Sequence, residues 1–263
     1  MPRPLALSPT ATWWPSVLWQ TTTLELRRDG ERLLIDPGIA PWEVEEAAGD
    51  GAGHVLLTHG DWDHVMGVGL LPDARVVASE QTARRIASGE AEQSVRKESA
   101  VFCLPLEGLE GLRVDQTVAP GELTIGSWQA VVHAAPGHTD DGIATWWPEE
   151  RLLVAGDYLG RLEIPFIYES AWDYRRTLTM LLELTAQQRP DHVVPGHGRP
   201  HDADTARRIG EADLAYVEAV IAHAESSGDP DAPGEVAYPD RGGADDAKEH
   251  ADNVRRACLA ARA

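Results

Sequence analysis

A chain of 263 residues with 43% hydrophobic content and nine tryptophans carries enough apolar material for a full core, which excludes a disordered chain. Its 43 acidic and 23 basic residues give a formal charge of −20, which argues against a long nucleic acid or an anionic membrane as a partner. The N-terminus lacks the apolar core of a signal peptide and no window approaches a membrane span, so the expectation is a soluble, cytoplasmic protein. Cys103 and Cys258 form no framework and no Cys-x-x-Cys pair, and read as reduced thiols used as small apolar filler.

In chain order, Val17 to Leu26 and Arg32 to Ile35 are strand-like runs about the turn Arg28-Asp29-Gly30, an expected antiparallel hairpin. Asp36-Pro37-Gly38 ends it, and Trp42 to Ala48 has helical composition. Val55 to Thr58 and Arg75 to Ala78 are short apolar strands, the second followed by a helix over Glu80 to Ser88. That order predicts a parallel segment within a mixed sheet. Leu123 to Ile125, Trp128 to Ala134, Ile143 to Trp147 and Leu152 to Val154 then read as a meander. Helices are expected over Tyr174 to Leu184 and Thr205 to Ala224, with a strand at His192 to Val194 between them. Ser226 to Asp246 reads as a surface loop, and Ala247 to Ala261 as a closing helix.

The chemistry concentrates at the strand ends. Thr58-His59-Gly60-Asp61-Trp62-Asp63-His64 places two imidazoles and two carboxylates within six positions, right after an apolar strand. Groups of this kind tolerate such crowding when a cation holds them, and nitrogen and oxygen donors without thiolate suit a borderline or hard divalent metal. Ala135-Pro136-Gly137-His138-Thr139, Ala155-Gly156-Asp157 and Pro195-Gly196-His197-Gly198 each put one further ligand-type residue after a strand. If these ends share one edge, His59, Asp61, Asp63, His64, His138, Asp157 and His197 converge.

With Asp36-Pro37-Gly38, these motifs stand in an order that resembles the metallo-β-lactamase superfamily, from the early hairpin to His197 or beyond. The resemblance implies an α/β fold, a four-layer αβ/βα sandwich with mixed β-sheets and metals along one edge. It implies one domain over residues 1–263, with 203–263 as a helical C-terminal extension. It also implies two divalent metal ions, zinc first and iron or manganese as alternatives. His59, Asp61 and His138 would hold one ion, Asp63, His64 and His197 the other, and Asp157 would bridge them. Asp61 departs from the family's usual His and adds hardness and negative charge to the first position.

The activity implied is a metal-dependent hydrolase in which a metal-bound hydroxide cleaves a small ester, thioester or lactone, with Asp63 orienting that nucleophile. The alternatives are a phosphodiesterase, prompted by Asp61, and an iron-dependent oxidoreductase of the sulfur dioxygenase or flavodiiron kind. The partner expected is a small molecule; the oligomeric state is not legible.

Around the ligands, Thr58 and Thr139 are candidates to support the imidazoles. Trp62, Tyr158 and Tyr168 are candidate substrate contacts, and Leu162 to Trp172, with Ile164, Phe166, Tyr168 and Trp172, is expected over the cleft. Arg161 is the one nearby cation seen in the sequence, read first as a surface ion pair. His54, His133, His192, His223 and His250 read as solvent-facing or capping residues, and His201, on the loop after His197, as a candidate for pocket contact.

Overall fold

The computed structural model describes residues 3–106, 111–226 and 229–262. Two mixed sheets stand back to back. The first has seven strands in chain order: β1 (Leu5–Ala6), β2 (Ala11–Pro15), β3 (Thr22–Arg28), β4 (Glu31–Ile35), β5 (His54–Leu56), β6 (Arg75–Ser79) and β7 (Gln116–Val118). The second runs β12-β11-β10-β9-β8, from β8 (Gly121–Ile125), β9 (Trp128–Ala134), β10 (Ile143–Trp147), β11 (Leu152–Gly156) and β12 (His192–Pro195). The hairpin of β3 and β4 closes through Asp29-Gly30, both in the left-handed region that a two-residue hairpin turn requires. From β4 to β7 every pairing is parallel, whereas β8 to β11 form the antiparallel meander.

The period-2 pattern of the strands sorts their side chains into layers. Leu33, Ile35, Leu56 and Val77 point inward and meet Ile125, Trp128, Val132, Leu152 and Val154 of the other sheet. Leu34, Val55, Val76 and Ala78 point the other way, onto α1 (Pro41–Ala48), α2 (Trp62–Val65) and α4 (Glu90–Phe102). Trp146, Leu153 and Val193 face α5 (Ala171–Gln188), α6 (Ala203–Glu225) and α7 (Asp246–Ala260). The result is the expected helix–sheet–sheet–helix stack. Each fully buried Leu contributes roughly 1.5–3 kcal/mol relative to exposure, so all three apolar layers hold the fold.

Several elements depart from the sequence reading. Residues 17–20 are a turn and not the start of the hairpin strand; Trp19 and Gln20 have positive φ, and the segment crosses to the second sheet. There Thr22 N donates to Gly196 O at 2.7 Å and Gly198 N to Gln20 O at 3.0 Å. Strands β2 and β7 and helix α4 were not foreseen. Cys258 is buried filler as expected, but Cys103 is exposed, in the left-handed position that ends α4. His250 is buried as well, between the Tyr216 hydroxyl at 3.1 Å and Pro233 O at 3.0 Å. No helix among the described residues is long and apolar enough to cross a membrane.

Candidate metal centre

The parallel pair β4 and β5 ends beside the parallel pair β11 and β12, so their loops rise from one edge of the sandwich. Asp36 follows β4, His59 to His64 follow β5, His138 follows β9, Asp157 follows β11 and His197 follows β12. Ile143 N donates to Thr58 O at 2.8 Å and ties the two sheets at this edge.

All four imidazoles converge on one carboxylate. Asp157 Oδ2 lies 3.2 Å from His138 Nε2, 3.3 Å from His197 Nε2 and 3.6 Å from His59 Nε2, and Oδ1 lies 3.2 Å from His64 Nε2. Asp61 Oδ2 stands on the first side, 3.2 Å from His138 Nε2 and 3.7 Å from His59 Nε2. Asp63 Oδ2 stands on the second, 3.4 Å from His197 Nε2 and 3.5 Å from His64 Nε2. Two donor clusters result, His59 with His138 and Asp157, and Asp63 with His64 and His197, each with its donor atoms within 4.8 Å of one another. Gly196 is required here, because a Cβ on it would overlap Asp157 Oδ1.

The outward nitrogen of every ring is tied back. His64 Nδ1 donates to Asp36 Oδ2 at 3.0 Å. His138 Nδ1 donates to Phe166 O at 2.7 Å, and His197 Nδ1 to Trp19 O at 3.2 Å. His59 Nδ1 donates at 2.9 Å to the Thr58 hydroxyl, which itself donates to Asp36 Oδ2 at 2.6 Å. With each Nδ1–H so engaged, all four Nε2 lone pairs face inward, as metal ligation requires. His59 Nε2, His64 Nε2 and Asp157 Oδ1 are buried with no hydrogen-bond partner among the described residues. Buried polar atoms left this way call for a partner, and this donor set fits divalent cations.

The electrostatics agree. Burial by itself would raise the Asp157 carboxyl, but the surrounding imidazoles, His64 foremost, hold it well below the usual carboxylate range. Burial likewise opposes charge on His59 and His197, yet acidic neighbours lift them to about 9 and about 10. For His59 the carboxylate of Asp157 does most of this; for His197 it is Glu163, then Asp157. This face of the site attracts positive charge, whether as protons or as a metal cation that displaces them.

The centre opens into a cleft of about 1020 Å³. Trp19, Trp62, Phe166 and Tyr168 supply aromatic wall. Trp62 is also core, stacked on Phe102 at 5.9 Å and edge-on to Trp19 at 5.3 Å. The cations lining the cleft are Arg84, Arg85, Lys97 and Lys248, and not Arg161, which is exposed outside it. Each is engaged by a carboxylate, as in Arg84 with Glu80 and Lys97 with Glu98. Further acidic residues, Glu90, Glu163, Glu169, Asp245 and Glu249 among them, leave the lining predominantly acidic.

Tyr158 is not placed for substrate contact. It is buried, its hydroxyl accepting from His138 N at 2.9 Å and facing Pro136 O at 2.9 Å, because the turn after Asp157 sends the ring under the His138 loop. Phe166 and Tyr168 reach the cleft as expected, but Ile164 packs into the core and Trp172 turns away to Glu225. Thr58 supports its imidazole; the Thr139 hydroxyl has no partner among the described residues. His201 lies outside the cleft, its backbone paired with Val193.

Four contributors escaped the sequence reading. Glu163 places a carboxylate oxygen within the same 4.8 Å span as Asp157 and His197; being one of two acids in an otherwise apolar covering segment was its only signal. Burial pushes its carboxyl up. Thr21 donates to Asp63 Oδ2 at 3.0 Å, from the segment misread as strand. Arg85 and Asp141 meet beside Asp61, brought there by packing alone.

The family model of the metallo-beta-lactamase superfamily matches residues 17–197, more than half of the chain and every residue of both clusters. The chain belongs to the metallo-beta-lactamase superfamily. It is 26% identical over 194 residues to a beta-lactamase-like protein 2 homolog from Caenorhabditis elegans, covering 70% of this chain and 58% of that protein. It is 30% identical over 161 residues to a hydroxyacylglutathione hydrolase from Methylobacterium nodulans, covering 60% of this chain and 52% of the relative. The chain thus spans only 58% and 52% of these curated relatives. Among solved structures it is similar to a stereoselective inverting sec-alkylsulfatase from a Pseudomonas species. The TM-score is 0.76 at 12% identity, over 98% of this chain and 50% of that one, a likeness of fold.

Proposed function

We propose that this protein is a metal-dependent hydrolase of a small, uncharged ester, thioester or lactone with an apolar or aromatic part. One observation carries the reading: four imidazole Nε2 atoms aim at the Asp157 carboxylate, with every Nδ1–H tied back. His59, Asp61 and His138 would hold one divalent cation, Asp63, His64 and His197 a second, and Asp157 would serve both. Cations held there supply Lewis acidity toward a carbonyl oxygen and lower the pKa of water.

The protein's own groups do the rest. Asp63, fixed by Thr21, faces the cleft and is the carboxylate that would accept and pass on a proton at the nucleophile. Glu163, on the covering segment, is a second carboxyl placed to exchange a proton with the leaving group. Trp62, Phe166 and Tyr168 would hold the apolar part of the substrate and exclude water from it. The acidic lining disfavours polyanions, which ranks a phosphodiester below a neutral ester. The hydroxyacylglutathione hydrolase relative supports thioesters as one substrate class to test.

The carboxylate of Asp61 keeps a second reading open, an iron-dependent oxidoreductase on the same ligands, because a hard donor favours iron or manganese more than imidazole does. Metal content after growth in defined medium, with turnover of an ester and thioester panel against Asp157→Ala, separates the two. Zinc and hydrolysis above that control support the proposal. No turnover above the control overturns it, and bound iron with oxygen uptake establishes the second reading.

A further inference from the structure

Asp61 stands where an imidazole would leave the first cluster one unit less negative, and its surroundings answer that extra charge. Arg85, from α3 (Glu80–Ala87), places Nη1 2.8 Å from Asp61 Oδ1, while Oδ2 of the same carboxylate faces His138 and His59. The two oxygens are therefore divided, one for the guanidinium and one for the imidazole cluster.

The guanidinium is itself fixed. Its Nε donates to Glu90 at 2.9 Å, and Nη1 lies 3.6 Å from Asp141 Oδ1. Asp141 is fully buried at its side chain, and its Oδ2 accepts from Gly60 N at 2.7 Å and the Thr82 hydroxyl at 2.9 Å. Gly60, between His59 and Asp61, permits this approach: a Cβ there would come 2.8 Å from Asp141 Oδ2 and 3.0 Å from Arg85 Cδ. Three separate elements, the β5–α2 loop, α3 and the β9–β10 loop, meet at this contact. Both Asp61 and Arg85 side chains are 18% exposed, so the pair is shielded more than a surface ion pair.

We infer that Asp61 and Arg85 act as one electroneutral donor at the first metal position, Arg85 cancelling the charge of Asp61 and holding it to one ligating oxygen. Arg85 is thus a positioning residue whose value depends on residue 61 being acidic. The inference rests on the proposed metal centre and concerns affinity, not turnover.

The test is a stepwise titration with Zn²⁺ and Co²⁺ alone, in competition with a chromophoric chelator, on the intact chain and on Arg85→Met, Arg85→Lys, Asp61→His and Asp61→His/Arg85→Met. In the wild-type background, Arg85→Met should weaken one of the two binding steps by about tenfold to a hundredfold and leave the other unchanged. Arg85→Lys, which keeps the charge without the planar fork, should fall between. In the Asp61→His background the sign should reverse, the double variant binding tighter than Asp61→His, because the guanidinium, although still held by Glu90 and near Asp141, then only opposes the cation. The Co²⁺ visible absorption should shift with Asp61→His and also with Arg85→Met, which frees Asp61 Oδ1 to ligate. An equal effect of Arg85→Met in both backgrounds, or none in either, overturns the inference while leaving the hydrolase proposal standing. Failure of the wild-type chain to bind metal overturns both.

Discussion

Asp36 Oδ2 lies 3.0 Å from His64 Nδ1, although neither residue is near the other in sequence. Asp36 sits at positive φ in the turn after β4, and its Oδ1 also accepts Thr58 N at 2.7 Å. One buried carboxylate therefore sets the ring orientation of His64 directly and of His59 through the Thr58 hydroxyl. Asp36→Asn retains the shape but loses the charge-assisted bonds. It should lower metal affinity by about tenfold to a hundredfold, read by chelator competition. Unchanged affinity would mean that the backbone alone aims these rings.

Tyr158 acts beneath the His138 loop, and its removal should show there. Tyr158→Phe leaves His138 N without its side-chain partner and Pro136 O short of one donor. The expected loss is roughly 1–3 kcal/mol of stability, with KM for a small ester little changed. A large rise in KM at wild-type stability would return Tyr158 to the substrate-binding surface.

The C-terminal helices shape the cleft at a distance. Asn253 on α7 is fully buried, accepting Ile167 N at 3.0 Å and donating to Pro165 O at 2.6 Å. Arg241 donates to Glu163 O at 2.6 Å and is paired with Asp213. These bonds clamp the segment that carries Glu163, Phe166 and Tyr168. Asn253→Leu should cost about 2 kcal/mol by stranding buried backbone groups, and should raise KM more than it lowers kcat. Limited proteolysis that newly cuts near residues 160–170 would locate the loosened clamp; equal kinetics would refute it.

Charge in the lining gives a direct comparison of substrates. Of two esters sharing one leaving group, the neutral one should be cleaved with about tenfold higher kcat/KM than one carrying a carboxylate on its acyl part, a gap that narrows with salt. A preference for the anionic ester would show that the metal cations dominate the field of the cleft.

His201 should make stability pH-dependent. Burial first, and then Arg161, lower its pKa to about 4 from the ordinary 6.5. The unfolded chain thus takes up this proton near 6.5 and the folded chain only near 4. The contribution is intact above 6.5 and is lost progressively as pH falls from 6.5 toward 4. His201→Phe should shrink the difference in urea midpoint between about pH 7.5 and about pH 5. An unchanged difference would assign that dependence to other groups.

Much of this protein was legible from local pattern. Short apolar runs bounded by turn residues gave β5, β6, β9, β10 and β11, and an apolar strand followed by glycine and one polar residue marked His138, Asp157 and His197. These signals are local because a short apolar run and a loop's ligand both sit within a few residues of chain. The same locality explains the misreadings. Val17 to Gln20 has strand composition, yet it forms a turn, and backbone bonds join residues 20 and 22 at its end to Gly198 and Gly196 beyond the second sheet's β12.

What the sequence determined by itself is the candidate donor set, four imidazoles and three carboxylates in family order, because ligand chemistry is fixed by residue type. Tertiary structure alone decided how each donor is aimed and charged. Asp36 orients His64, Phe166 O orients His138, Trp19 O orients His197, and Arg85 divides the oxygens of Asp61. Hydrogen bonds act over about 3 Å of space and are indifferent to distance along the chain. Such partners are therefore invisible until the two sheets are stacked face to face.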